Sequence, residues 1–171
     1  KVLTDPKAAL PMLRRAWERA PSKDVKLRYA HVLGMLYDNT GAQSLIAAVK
    51  ANPWDKGRAF VYWGGGTTPM ENLIIALGRT GDKRGITVIL EKLKELADKP
   101  VFSHCRAVAY ALEEYRDPAA AKPLAELLSG SGMSGHAFVG IKDALKRTPV
   151  ETGRMRGNDN STRNNSLREL I

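Results

Sequence analysis

The chain has 171 residues, 43% of them hydrophobic and 26% charged, enough for one domain with a sizeable buried core, so disorder is not the default reading. A formal net charge of +9 points to an anionic partner such as nucleic acid, a phosphorylated ligand or an acidic protein surface. The single cysteine, Cys105, excludes an intramolecular disulfide and a cysteine-based zinc site, and no apolar run is long enough to span a membrane.

From the N-terminus, a helix is expected near Pro6–Arg19, with Asp5 before a proline in the first turn. A second is expected near Lys23–Tyr37. The segment "LRRAWERAPSKDVKLR", Leu13 to Arg28, is basic, but Glu18 and Asp24 interrupt it, so it reads as a solvated face rather than a nucleic-acid groove. A third helix spans about Ala42–Ala51, followed by the connection "NPWDKGRAFVYWGGGTTP", Asn52 to Pro69. The fourth, near Met70–Arg79, carries the stripe Met70, Leu73, Ile74 and Leu77. Gly78 and Gly81 then supply a stop, and Asp82 is the expected N-cap of a fifth helix, Lys83–Ala97, whose stripe is Ile86, Ile89, Leu90, Leu93 and Leu96. The sixth falls near Ser103–Tyr115 and the seventh near Pro118–Leu128. A long run, Ser129 to Asn165, is expected to hold a short helix near Phe138–Arg147, and a last helix begins near Ser166.

The same grammar recurs at "LGMLYDNTGAQSLI", "ALGRTGDKRGITVIL" and "ALEEYRDPAAAKPLAEL": an apolar helix end, a short polar turn with Asp or Gly, and a new apolar helix. The period from Gly41 to Asp82 to Asp117 is roughly 35 to 41 residues, with two helices per unit. No stretch sustains period-two alternation. The expected fold is therefore all-α, an α-α superhelix of the HEAT or armadillo-like solenoid kind, made as one domain over residues 1–171. Its four helical hairpins fall at about 4–38, 41–80, 82–116 and 117–171, with an insertion at 129–165 in the last.

This division puts the tight turns between units and the extra residues within them, between the first (A) and second (B) helix. All A-to-B connections of a solenoid lie on one edge, and insertions gathered there often mark a binding face. The B-helix N-termini point the same way and favour anions. The candidate interaction edge comprises Trp63, Gly64, Gly65, Gly66, His104, Arg106, His136, Lys142 and Arg163, with Arg154 and Arg156 in the same long insertion.

Other chemistry is weaker. "WGGGTTP" lacks the Lys-Ser/Thr ending of a phosphate loop and has no strand before it, so it reads as a turn in which Thr67 or Thr68 caps a helix opened by Pro69. In "SHCRAVAYAL" the side chains of His104 and Cys105 diverge by about 100 degrees on a helix, which disfavours a nucleophilic pair. Ser103 is the expected N-cap, and Cys105 a small buried residue. "GMSGHAF", Gly132 to Phe138, reads either as a glycine-rich turn capped by Ser134 or as a loop bringing His136 to His104. His31 lies in another unit, so zinc is not expected.

The units "ALGRTGDKRGITVILEKL" and "YRDPAAAKPLAELL" resemble HEAT or PBS-lyase-type HEAT-like repeats. Between Glu71 and Ile171, the ordered pieces "ENLIIALGRTGDKRGITVILEKL", "FSHCRAVAYALE", "DPAAAKPLAELL", "GMSGHAF" and "NNSLRELI" resemble the C-terminal helical-repeat region of bacterial FAD-dependent oxidoreductases. That resemblance implies a longer parent polypeptide with an upstream flavin-binding half, an expectation consistent with a chain that opens on Lys1 and closes within the stripe "SLRELI". It implies no cofactor in this chain, FAD in the parent, and no catalytic residue here. The implied role is a non-catalytic scaffold contacting its own upstream domain or another subunit. The competing reading is a basic repeat protein that binds nucleic acid, and a third makes His104 or His136 an acid or base. The compartment is not legible.

Overall fold

A computed structural model describes residues 5–54, 67–98, 101–115 and 117–129. Seven α-helices occur among the described residues, and no strand: α1 Pro6–Glu18, α2 Lys23–Met35, α3 Ala42–Ala51, α4 Pro69–Arg79, α5 Arg84–Lys94, α6 Phe102–Tyr115 and α7 Ala121–Ser129. Each matches an expected helix to within a few residues. The expected helices near Phe138–Arg147 and from Ser166 lie outside the described residues, as does most of the 129–165 insertion.

The helices stack as an α-α superhelix. The B helices α2, α4 and α6 pack on one another in order, and α3 packs on α5 in a second layer. Between the layers lies one apolar core in which Leu45, Ile74, Leu77, Ile89 and Leu112 are fully buried. Each such side chain contributes about 1.5–3 kcal/mol over an exposed one. Close approach within the B layer rests on small residues. A Cβ added at Gly78 of α4 would lie 2.5 Å from Ala111 Cα in α6, and one added at Gly34 of α2 would lie 2.7 Å from Ala76 O in α4. Helix α1 packs on α2, helped by the Lys26 ammonium 4.2 Å from the centroid of a Trp17 ring.

The turns between units share one device. Asp38 Oδ1 accepts from Thr40 N at 3.0 Å, Asp82 Oδ1 from Arg84 N at 3.1 Å, and Asp117 Oδ1 from Ala119 N at 3.0 Å. A short carboxylate bonding the backbone two residues on satisfies a donor in the turn that leads into the next helix. Asp5 plays a similar part before α1, accepting from Ala8 N at 3.1 Å. Asp82 is not the N-cap that the sequence suggested: α5 begins at Arg84, Lys83 holds the N-cap position without a side-chain cap bond, and Asp82 accepts from Arg84 N in the turn just before it. Asp117 starts a 3-10 turn, Pro118–Ala120, which leads into α7.

The residue before Asp is left-handed in both turns where it is described. Gly81 has φ 67° and Tyr37 has φ 62°. That explains why α2 ends at Met35 rather than at the expected Tyr37: a residue in the left-handed region cannot continue a right-handed helix.

Candidate interaction edge

Thr68 N-caps α4, with Pro69 at its first position. Its Oγ1 accepts from Glu71 N at 3.3 Å, and its own N–H donates to Glu71 Oε2 at 2.7 Å. This reciprocal capping box satisfies two donors that a helix start leaves over. The anion that the α4 N-terminus favours is therefore the chain's own carboxylate.

Glu71 reaches further than a cap. It is fully buried, and its Oε1 lies 2.7 Å from His104 Nδ1 in the first turn of α6. Burial alone would raise the Glu71 carboxyl. Hydrogen bonds from the Ser103 hydroxyl, the Thr68 N–H and His104, with the imidazole's charge, outweigh burial and hold it below the usual carboxylate range. An ionised carboxylate only accepts, so Nδ1 is the imidazole nitrogen that carries the proton toward it. Ser103, the expected N-cap, instead sits inside α6 and donates to Glu71; Cys105 N donates to Val101 O at 3.0 Å at the helix start.

The other flank of His104 is aromatic. Trp54 stacks on the imidazole with ring centroids 4.5 Å apart and planes inclined by 21°. The Trp54 Nε1–H donates to Lys92 O at 3.2 Å, and Lys92 Nζ donates to Asn52 O at 3.0 Å and to Glu95 Oε1 at 2.8 Å. The residues that leave α3 are thereby tied to the end of α5 and the starts of α4 and α6. Where they are described, the residues leaving α3 and the end of α5 lie against the starts of α4 and α6.

The expected site residues fall out unevenly. His104 lies on this edge, in the first turn of α6, but with 1% exposure it serves as an interior strut between Glu71 and Trp54. Arg106 is half-buried. Trp63, Gly64, Gly65, Gly66, His136, Lys142, Arg154, Arg156 and Arg163 lie outside the described residues, and with them any meeting of His136 and His104. Cys105 is buried as expected, its thiol pushed up to about 11 by desolvation, which removes the reactive thiolate at neutral pH. Among the described residues no group of three or more His, Cys, Asp or Glu side chains could hold a metal ion. None of their helices is long and apolar enough to cross a membrane.

Sequence reasoning missed Glu71 and Trp54. The Thr68-x-x-Glu71 spacing is a capping-box signature and was readable. Nothing in the spacing shows that the same carboxylate turns to a histidine 33 residues away.

Residues 105–130 match the PBS lyase HEAT-like repeat, a range that runs through α6, the Asp117 turn and α7. No curated protein and no solved structure matches the chain. The chain carries a HEAT-like repeat within an all-helical stack, the architecture of a helical-repeat scaffold or interaction module.

Proposed function

We propose that the chain is a non-catalytic scaffold module of a FAD-dependent oxidoreductase, and that its A-to-B edge docks on that enzyme's flavin-binding half. The observation that carries the docking surface is the Trp54–His104–Glu71 knot. It fixes Trp54, where the 52–68 connection leaves α3, beside the starts of α4 and α6, and so gives this edge a firm base. The flavoenzyme assignment is supported by the ordered segments between Glu71 and Ile171. In the described core, the nucleophile candidates are engaged otherwise: Ser103 bonds Glu71, and Cys105 is buried and protonated.

The test is the visible spectrum of the purified parent polypeptide, with its flanking sequence. A bound flavin band and an upstream strand-GxGxxG-helix segment are expected. A parent with neither overturns the assignment. Nucleic-acid binding is the alternative that the net charge of +9 favours. Against it, basic side chains of the stacked helices are paired, Arg14 with Asp38, Arg79 with Glu114, Arg84 with Asp82 and Lys92 with Glu95. Duplex DNA titrated at rising salt decides the matter: affinity falling steeply, with a log–log slope of about −0.9 per phosphate contacted, supports that alternative.

A further inference from the structure

In a solenoid each repeat touches only its neighbours, so small angular errors at successive interfaces add along the stack. One contact here skips a unit. The Tyr37 hydroxyl, in the turn after α2 of the first unit, donates to Glu114 Oε1 of α6 in the third unit at 3.3 Å. Arg79 of α4 lies between them. Its guanidinium carbon is 5.5 Å from the centroid of the Tyr37 ring, and its Nε is 3.5 Å from Glu114 Oε1. Arg79 Nη1 also lies 3.7 Å from Met35 Sδ in α2.

The backbone beneath this contact is costly. Tyr37 holds φ 62° at the position where the next turn uses Gly81 at φ 67°. Glycine takes that conformation without penalty; tyrosine does not. The ring is 63% exposed, so burial of apolar surface does not explain its presence there. What the side chain gains is its contact across two units.

We propose that Tyr37, Arg79 and Glu114 form a latch that closes the first three units against one another and fixes the angle at which the B helices fan. The inference goes beyond the proposed docking role and does not depend on it, since the latch lies at the opposite ends of the B helices from the A-to-B edge. A tyrosine hydroxyl and a glutamate carboxylate, both solvent-accessible, make the latch a surface joint through which the curvature of the stack is set.

The experiment is a spin-label distance measurement on the whole chain carrying Lys23→Cys and Lys122→Cys, both exposed positions, in the first and last described units. Cys105 is buried and stays out of the labelling. With the latch intact, a narrow distance distribution is expected. Tyr37→Gly, which relieves the backbone and removes the ring, and Glu114→Ala, which leaves the turn untouched, should each broaden it and shift its mean by several ångströms. A double-mutant cycle of Tyr37→Phe with Glu114→Ala should show a non-additive change of about twofold to fivefold in the unfolding equilibrium constant. Lys26→Ala, which loses a contact within the first unit alone, should leave the distance unchanged. Unchanged distributions in both latch variants overturn the proposal, and so does an equal shift in Lys26→Ala.

Discussion

The two ends of the helix stack solve the same problem differently. At the turn end, each unit closes itself with an aspartate that bonds backbone two residues away, repeated at Asp38, Asp82 and Asp117. At the A-to-B edge, one buried carboxylate, Glu71, is shared by a cap of its own helix and a histidine of the next unit. The first device is local and redundant. The second occurs once among the described residues and joins two units, so its failure cannot be contained.

The sharpest way to break the comparison is Glu71→Ala. It leaves His104, Ser103 and the Thr68 N–H facing a buried gap, and removing one member of a buried pair costs about 3–5 kcal/mol. Thermal unfolding followed by circular dichroism should show Tm lowered by roughly 10 °C. A drop of only a degree or two would mean that the edge is no more critical than a turn.

The same residue predicts a pH dependence. The Glu71 carboxyl is held below its ordinary value in the folded chain. The stability it contributes is therefore fully present above the unfolded carboxyl value of about 4.3 and is lost as pH falls toward the folded one. Urea unfolding of the wild type and Glu71→Gln should differ most near neutral pH and converge in acid. A constant gap across that window would show that the bonds to Glu71 do not depend on its charge.

At the turn end a smaller loss is expected from Asp38→Ala. Asp38 is nearly buried and accepts from Arg14 Nε at 2.8 Å as well as from Thr40 N, so the variant loses both a turn hydrogen bond and a charged partner, about 2 kcal/mol. Its chemical-denaturation midpoint should fall between those of wild type and Glu71→Ala. Gly81→Ala should do least, about 1 kcal/mol, because a Cβ there meets nothing and only the left-handed backbone resists it. If Gly81→Ala rivalled Asp38→Ala, backbone conformation rather than the carboxylate would be what holds the turns.

This contrast also explains what was legible in the sequence. The helices, their order and the two-layer repeat follow from apolar spacing such as Met70, Leu73, Ile74 and Leu77. The turn aspartates follow from local chemistry that recurs, so Asp82 stood out just before a helix and Asp5 and Asp117 beside their prolines. The edge was legible only as a place. His104 reads from the sequence only as a residue of the edge, because it stands at the start of a B helix. Its partner lies in another unit, and periodicity carries no information about tertiary pairing. Trp54 likewise gave no local sign that its ring would lie on that imidazole.

One consequence concerns how such a chain can be cut and copied. A turn that closes on its own aspartate is a seam: a unit that begins at Asp82 or Asp117 carries both the carboxylate and its backbone donor. The Glu71–His104 bond and the Trp54 stack cross the seam at Asp82 from the opposite edge. Duplication of the second unit by itself would leave one buried carboxylate without an imidazole, and transplantation would separate Glu71 from His104. The heritable block of this solenoid is the second and third units together, two repeats that travel as one.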